Sequence, residues 1–312
     1  MRFQRACTAL TLLQTSKHSG RTIHHNAGNR PRLLTSDQMN NFLAQVESLN
    51  DGAPHAVHMQ RWIGDKKTLG YITPTFAKQL SEYPDVFQFD LKASTFGLSP
   101  RLEQGSIEMR TEVLAEVTKD LHKKKLIPGW RDELFCVSPT YSFAPYVLIE
   151  RAATPYFGVK AYGIHVNGFV RDPISNAITH MWAGRRASTK ATFPGMLDDI
   201  VGGGLPYGID ILTNVVKECA EEASIPETLA RTAQPAGAVT YNYADKFGNL
   251  KRDSLFCFDL ELPRDFVPTP MDGEVESFEL ISIDAMLDKM LASKGGGFKP
   301  NCNLVKMDFF IR

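Results

Sequence analysis

KECAEEAS, Lys217–Ser224, packs Glu218, Glu221 and Glu222 into one short segment with only alanine and cysteine between them. On a helix, positions i, i+3 and i+4 share a face, so the three carboxylates converge. Anions so placed raise one another's pKa or recruit a hard cation. With Asp210 at the N-cap and the helix running to about Ser224, Leu212, Val215, Val216, Cys219 and Ala223 form an apolar arc, and the glutamates lie on another face. Cys219 therefore reads as core and not as a nucleophile. Oxygen-only ligation with few protein donors is the habit of Mg²⁺, with Mn²⁺ as the alternative, and a diphosphate is the natural ligand of such a metal. The preceding run GGGLPYG, Gly202–Gly208, reads as a loop whose missing side chains let the backbone approach a ligand and whose carbonyls can join the metal shell.

Outward from this segment the chain reads as strands and helices. Strand candidates are YVLIE, VKAYGIHVNGFV, AITHMWAGRR, AGAVTYNY, SLFCFDLEL and FELISI, with a closing helix DAMLDKMLAS. Nearer the amino terminus, a helix starting at Ser36 carries Met39, Phe42, Leu43 and Val46 on one stripe. WIGDKKTLGYITP, residues 62–74, reads as a hairpin turning at Gly64–Lys67, and a long helix over Ile107–Lys125 carries Met109, Val113, Val117 and Leu121. The expected fold class is α+β: an α/β/α sandwich on a mixed sheet at residues 141–312, preceded by a smaller α+β domain at 37–140.

The 312 residues are 43% apolar and 22% charged with zero formal charge, so no global field recommends nucleic acid or an anionic membrane as a partner. The apolar run ACTALTLL is far short of the roughly 20 residues of a spanning helix. Cys7, Cys136, Cys219, Cys257 and Cys302 are scattered, which argues against a zinc site or a disulfide framework and for a reducing compartment. Residues 1–36 hold Arg2, Arg5, Lys17, Arg21, Arg30 and Arg32, many hydroxyls and no acid. That is the make-up of an organelle transit peptide or a disordered basic tail; the expectation is mitochondrial, with cytoplasm or plastid as alternatives.

The spacing of these residues resembles the Nudix signature, in which G, five residues, E and seven residues precede R-E-U-x-E-E-x-G-U. Gly203 takes the first position and Lys217–Ile225 the second half, without a gap; Ile209, Lys217 and Ser224 replace the family's Glu, Arg and last Gly. RRASTKATFPGML, DGEVESFEL and FKPNCNLV, together with GYITPTFAKQLSEYPDVF and LIPGWRDEL, resemble a Nudix subgroup with its own preceding domain, found in fungi alone or fused to thiamine pyrophosphokinase and in plants behind a plastid leader. The resemblance implies a hydrolase of thiamine diphosphate-type compounds, preferring damaged forms such as oxothiamine and oxythiamine diphosphate and yielding monophosphate and phosphate. Glu218, Glu221, Glu222 and the carbonyl of Gly203 would hold the metal, with Glu218 and Glu222 also catalytic. A general base from outside the box would be Glu274 or Glu276, with a glutamate of the box as the alternative; Glu276 is preferred.

Arg185, Arg186 and Lys190 are candidate clamps for the diphosphate oxygens, and Trp182, Tyr241, Tyr243 and Phe157 candidate stacking surfaces for the substrate's ring. Three other readings remain. Nudix hydrolysis of a nucleoside diphosphate derivative such as ADP-ribose or NADH is one. A silent Nudix fold that only binds a ligand is another, motivated by Ile209, Lys217 and Ser224. Isopentenyl diphosphate isomerase is the third and the weakest, because no cysteine follows the Pro194-Gly195 motif in LDDIVGGG.

Overall fold

The structure is a computed structural model and describes residues 34–292 and 297–312. The basic leader read at residues 1–36 lies outside them except for its last three positions.

The amino-terminal region is built on strands β1 (Gln60–Gly64), β2 (Lys67–Ile72), β3 (Phe87–Asp90) and β4 (Thr95–Leu98), ordered β2-β1-β4-β3. The β1–β2 hairpin turns through Asp65 and Lys66, whose φ angles of 48° and 62° are those of a tight turn matching strand twist. A helix at Ile107–Lys123, capped by the Ser106 hydroxyl, buries Leu114, Val117 and Leu121. Met109, placed on that stripe from the sequence, is exposed. Strands β5 (Leu134–Val137) and β6 (Val147–Glu150) form a second hairpin. The apolar core of this region centres on Trp62, which meets Phe96, Tyr146 and Phe157, and takes in residues on both sides of position 140, ending at Val159.

The second region is a mixed sheet of β7 (Lys160–Arg171), β8 (Ile178–Arg186), β11 (Gln234–Ala244), β12 (Leu250–Glu261) and β13 (Val275–Ser282), ordered β11-β12-β7-β8-β13. Short strands β9 (Leu197–Asp198) and β10 (Val201–Gly204) pair with β8 and β7. The β7–β12 pair is parallel and the other pairs are antiparallel. We label three helices of this region: α1 (Ser36–Ser48), α2 (Ile211–Ala223) and α3 (Pro300–Ile311). On one face α2 packs Val215, Cys219 and Ala223 against Ile164, Val166 and Val201. On the other, α1, α3 and the helix at Ile283–Leu291 cover Phe169, Met181 and Cys257. The expected α/β/α sandwich is therefore the fold, preceded by a smaller α+β region. Among the described residues no helix is long and apolar enough to cross a membrane.

Two elements differ from the sequence reading. Helix α1 starts at Ser36 as read, but the sequence suggests Ser36 itself as the N-cap, whereas Thr35 caps it in a reciprocal capping box with Gln38. Helix α3 has no counterpart in the reading because it buries Asn301, Cys302, Asn303, Leu304, Val305, Lys306 and Met307, residues on every side, and so shows no one-sided apolar stripe.

Candidate active site

Helix α2 forms where the sequence places it. Asp210 caps it by accepting from the Thr213 N–H at 3.0 Å. Cys219 is buried and its thiol is pushed up to about 12 by that burial, so it remains a protonated core group near neutrality. Leu212, assigned to the apolar arc, is exposed instead. The helix ends at Ser224 with a left-handed φ of 54°, the conformation that the family's glycine adopts without steric cost. The Ser224 hydroxyl donates to the Thr269 carbonyl at 2.8 Å, an interaction glycine cannot make.

Of the glycine run, Gly202–Gly204 belong to strand β10 and residues 205–208 alone form the expected loop, a correction with a steric reason. A Cβ on Gly202 would lie 3.0 Å from the His165 ring. On Gly203 it would lie 2.3 Å from the Glu218 carboxyl carbon, and on Gly204 2.8 Å from the Phe135 ring. The three glycines thus let β10 pair with β7 while a carboxylate, an imidazole and an aromatic ring press against it.

Glu222 is buried, and its Oε2 accepts the Gly202 N–H at 2.9 Å. Burial pushes its carboxyl well above the ordinary value, and the negative charges of Asp198, Glu218 and Glu274 add to the rise against that one hydrogen bond. Glu218 is also raised, by burial first, with Lys217 opposing. Glu221 points to solvent and pairs with Lys217 Nζ at 2.6 Å; the same ammonium lies 3.3 Å from Glu218. Lys217, standing where the box has arginine, therefore engages the box carboxylates themselves.

Carboxylate oxygens of Glu222, Asp272 and Glu274 lie within 4.8 Å of one another. Asp272 was missed in the sequence, although it sits in the acidic stretch DGEVES. Glu274 pairs with Lys190. Burial would raise its carboxyl, but Lys190 outweighs it and holds the group below the ordinary value. Glu276, the preferred external base, stands exposed at the bulge between Val275 and Ser277, where the ladder with β8 skips a residue, and lies outside that cluster. A hard divalent cation fits this donor set: several carboxylates, oxygen ligands only, and a buried Glu222 whose charge no side-chain cation touches.

The proposed clamps are already engaged. Arg186 donates to Asp198 at 2.8 Å and to the Thr192 and Phe193 carbonyls, closing the loop before β9. Arg185 pairs with Glu279 and donates to the Gly195 carbonyl. The stacking candidates are mostly core: Phe157 sits under Trp62, and Trp182 packs on the α2 side of the sheet. Tyr241, facing α3, donates its hydroxyl to Asp253 at 2.7 Å and accepts from Asn301. Tyr243 is half-buried beside it.

Behind β10 lies a polar network that the sequence did not announce. His165 Nδ1 is 2.6 Å from Asp199, which also pairs with the fully buried Lys306. Asp198 meets Arg186, Lys299 at 3.3 Å and the Cys302 thiol. Although burial opposes it, the positive charges of Lys299 and Arg186 and the hydrogen bond from the Cys302 thiol hold the Asp198 carboxyl well below the usual range. Each carboxylate here already has a cationic partner, which distinguishes this group from the Glu222 cluster.

Residues 164–302 match the NUDIX domain, and residues 41–161 match the Domain of unknown function (DUF4743). Nudix hydrolase 24, chloroplastic, of Arabidopsis thaliana is 41% identical over 277 residues, covering 89% of this chain and 74% of the relative. The chain belongs to the Nudix hydrolase family. Nudix hydrolase 20, chloroplastic, of the same plant is 40% identical, again covering 89% and 74%. Among solved structures, a C. elegans Ap4A hydrolase aligns with 48% of this chain and 94% of its own at 14% identity, with a TM-score of 0.34, a likeness too slight to bear on function. As a Nudix enzyme the protein is a hydrolase acting on diphosphate anhydrides, which replaces the silent-fold and isomerase readings. The mitochondrial address is corrected by the names of both plant relatives, which are chloroplastic.

Proposed function

We propose that this Nudix enzyme hydrolyses a thiamine diphosphate-type compound, with preference for oxidised forms such as oxothiamine diphosphate, to the monophosphate and phosphate. The reaction is supported by one observation above the others: the buried Glu222, fixed by the Gly202 N–H and clustered with Asp272 and Glu274. The thiamine assignment is supported by the subgroup resemblance of the flanking segments. Mg²⁺ held by Glu218, Glu222 and Asp272, with Glu221 and the Gly203 carbonyl as further donors, would supply charge neutralisation for the diphosphate and a more acidic water.

The chain's own residues do the rest. Gly203 lets Glu218 reach inward, and the Gly202 amide orients Glu222. Glu274, kept ionised by Lys190, accepts the proton of the attacking water on a carboxylate oxygen. The water oxygen bonds to phosphorus as the bridging P–O bond breaks, and the leaving phosphate departs with the electron pair. Glu274 replaces Glu276 as the preferred base because it lies in the cluster.

The test is phosphate release in Mg²⁺ across thiamine, oxothiamine and oxythiamine diphosphates, ADP-ribose and prenyl diphosphate. Turnover of ADP-ribose or prenyl diphosphate with none on the thiamine series overturns the substrate. The relatives' names support a plastid address, to be checked by fusing residues 1–36 to a fluorescent protein; a cytosolic signal would refute it.

A further inference from the structure

We propose that Arg151, carried by the amino-terminal α+β region, binds a non-bridging oxygen of the substrate's diphosphate, so that the region before the Nudix domain completes the Nudix site. The proposal rests on the reading of the carboxylate cluster as the site of diphosphate hydrolysis.

Arg151 follows β6 directly, and its position is fixed from several sides. Its backbone N–H donates to the Glu133 carbonyl at 2.8 Å, and its Nη1 to the Glu133 carboxylate at 2.8 Å. Its guanidinium lies over the Phe135 ring, 5.6 Å from the centroid. The buried Glu150 carboxylate accepts the N–H groups of Arg131 and Ala152 and so pins the turn on which Arg151 sits. The turn is also tied to the Nudix region, because the Tyr207 N–H donates to the Leu134 carbonyl at 2.8 Å.

This anchoring brings the guanidinium against β10. A Cβ on Gly204 would lie 3.1 Å from Arg151 Cζ and 3.3 Å from Nη2, so the glycine next to Gly203 is what admits the arginine. The guanidinium's positive charge also lowers, as the weakest of the contributions to each, the carboxyls of Glu218 in α2 and Glu274 in the loop before β13.

The guanidinium also has donors to spare. Nη2 and Nε make no hydrogen bond among the described residues, and 39% of the side chain is exposed. Arg185, Arg186, Lys190 and Lys299 are each held by a carboxylate, as Arg151 is by Glu133, but Arg185 and Arg186 also spend donors on the carbonyls of Gly195, Thr192 and Phe193. A planar guanidinium with two unused donors at the rim of a metal-binding carboxylate cluster suits a phosphate oxygen.

The experiment is calorimetric titration of the full chain with inorganic pyrophosphate in saturating Mg²⁺, alongside titration with Mn²⁺ alone, for wild type, Arg151→Ala, Arg151→Gln and Glu133→Gln. Removing a charge-assisted hydrogen bond is expected to weaken pyrophosphate binding about tenfold or more in both Arg151 variants. Mn²⁺ binding should be unchanged, and KM for whichever diphosphate is turned over should rise more than kcat falls. Arg151→Gln is shorter but keeps the aliphatic stem and a polar end, and serves if Arg151→Ala fails to fold. Glu133→Gln, which breaks the ion pair but keeps the arginine, should stay within twofold of wild type. Pyrophosphate affinity within twofold of wild type in the Arg151 variants overturns the proposal, as does an equal loss in Glu133→Gln. Glu222→Gln separates the two readings. If it abolishes turnover while the Arg151 variants bind normally, only the role of Arg151 falls; if it retains turnover, the reading of the cluster falls first.

Discussion

Gly203 and Glu218 are matched sterically: a single carbon added to the glycine would sit 2.3 Å from the glutamate's carboxyl carbon. Gly203→Ala therefore forces Glu218 out of place. Because misplacing a reacting group by about 1 Å can lower rates about 10²-fold, turnover should fall by at least that factor while the chain still folds. Steady-state kinetics over a Mg²⁺ titration checks this; wild-type turnover would show that Glu218 has no part in the chemistry.

Glu222→Gln keeps the shape and the hydrogen bond from Gly202 but removes the charge. Phosphate release should drop about 10²-fold or more. A cation that binds only the folded chain raises its stability, by about 2.7 kcal/mol at one hundred times its Kd. Thermal melts should thus show Mg²⁺ raising the Tm of wild type but not of Glu222→Gln, and an equal rise in both would place the cation elsewhere.

Lys306 and Asp199 form an ion pair with neither side chain exposed. Lys306→Met leaves the carboxylate buried without its ammonium and should cost about 3–5 kcal/mol, whereas Lys306→Met with Asp199→Asn should recover much of the loss. Chemical denaturation of the two variants measures the difference; equal midpoints would contradict a buried charge pair.

Asp198 has a carboxyl held below its unfolded value, so its contribution to stability is present above the unfolded pKa of about 3.9 and is lost as pH falls through the folded value. Acid unfolding of wild type should steepen below about pH 4. Asp198→Asn should be less stable at pH 7 and show a flatter acid limb; parallel curves would remove this residue from the account.

Tyr241 and Trp182 separate packing from recognition. Tyr241→Phe deletes a buried hydroxyl bonded to Asp253 and Asn301 and should lower stability by about 1–2 kcal/mol with KM unchanged. A several-fold rise in KM without loss of stability would restore it as a substrate contact.

What could be read from the chain follows from range. Local patterns gave the β1–β2 hairpin, the five long strands of the sheet, α2 and its Asp210 cap, because periodicity and capping act over a few residues. The same local range put Glu218, Glu221 and Glu222 on one helix, although Glu221 turns to solvent and pairs with Lys217. The uses of Arg185, Arg186 and Tyr241 were not, since their partners Glu279, Asp198 and Asn301 are brought to them only by the fold. Asp272 and Arg151 were overlooked because neither sits at a spacing that marks it; each takes its place from a loop or turn set against the carboxylates. Lys306 ran against expectation altogether, a lysine on a helix with no exposed face.

Helix α1 precedes the amino-terminal sheet in the chain yet lies on the far core. Phe42 shares that core with Phe310, and Asn41 and Gln45 donate to the carbonyls of Leu291 and Met290. A chain leaving the ribosome makes these contacts' first halves near its start and their second halves some 250 residues later. Phe42 stays without this cover until residues 290–310 have been synthesised. Docking of this early helix consequently comes late, and the interval is one in which a chaperone holding the apolar helix would raise the yield of native protein.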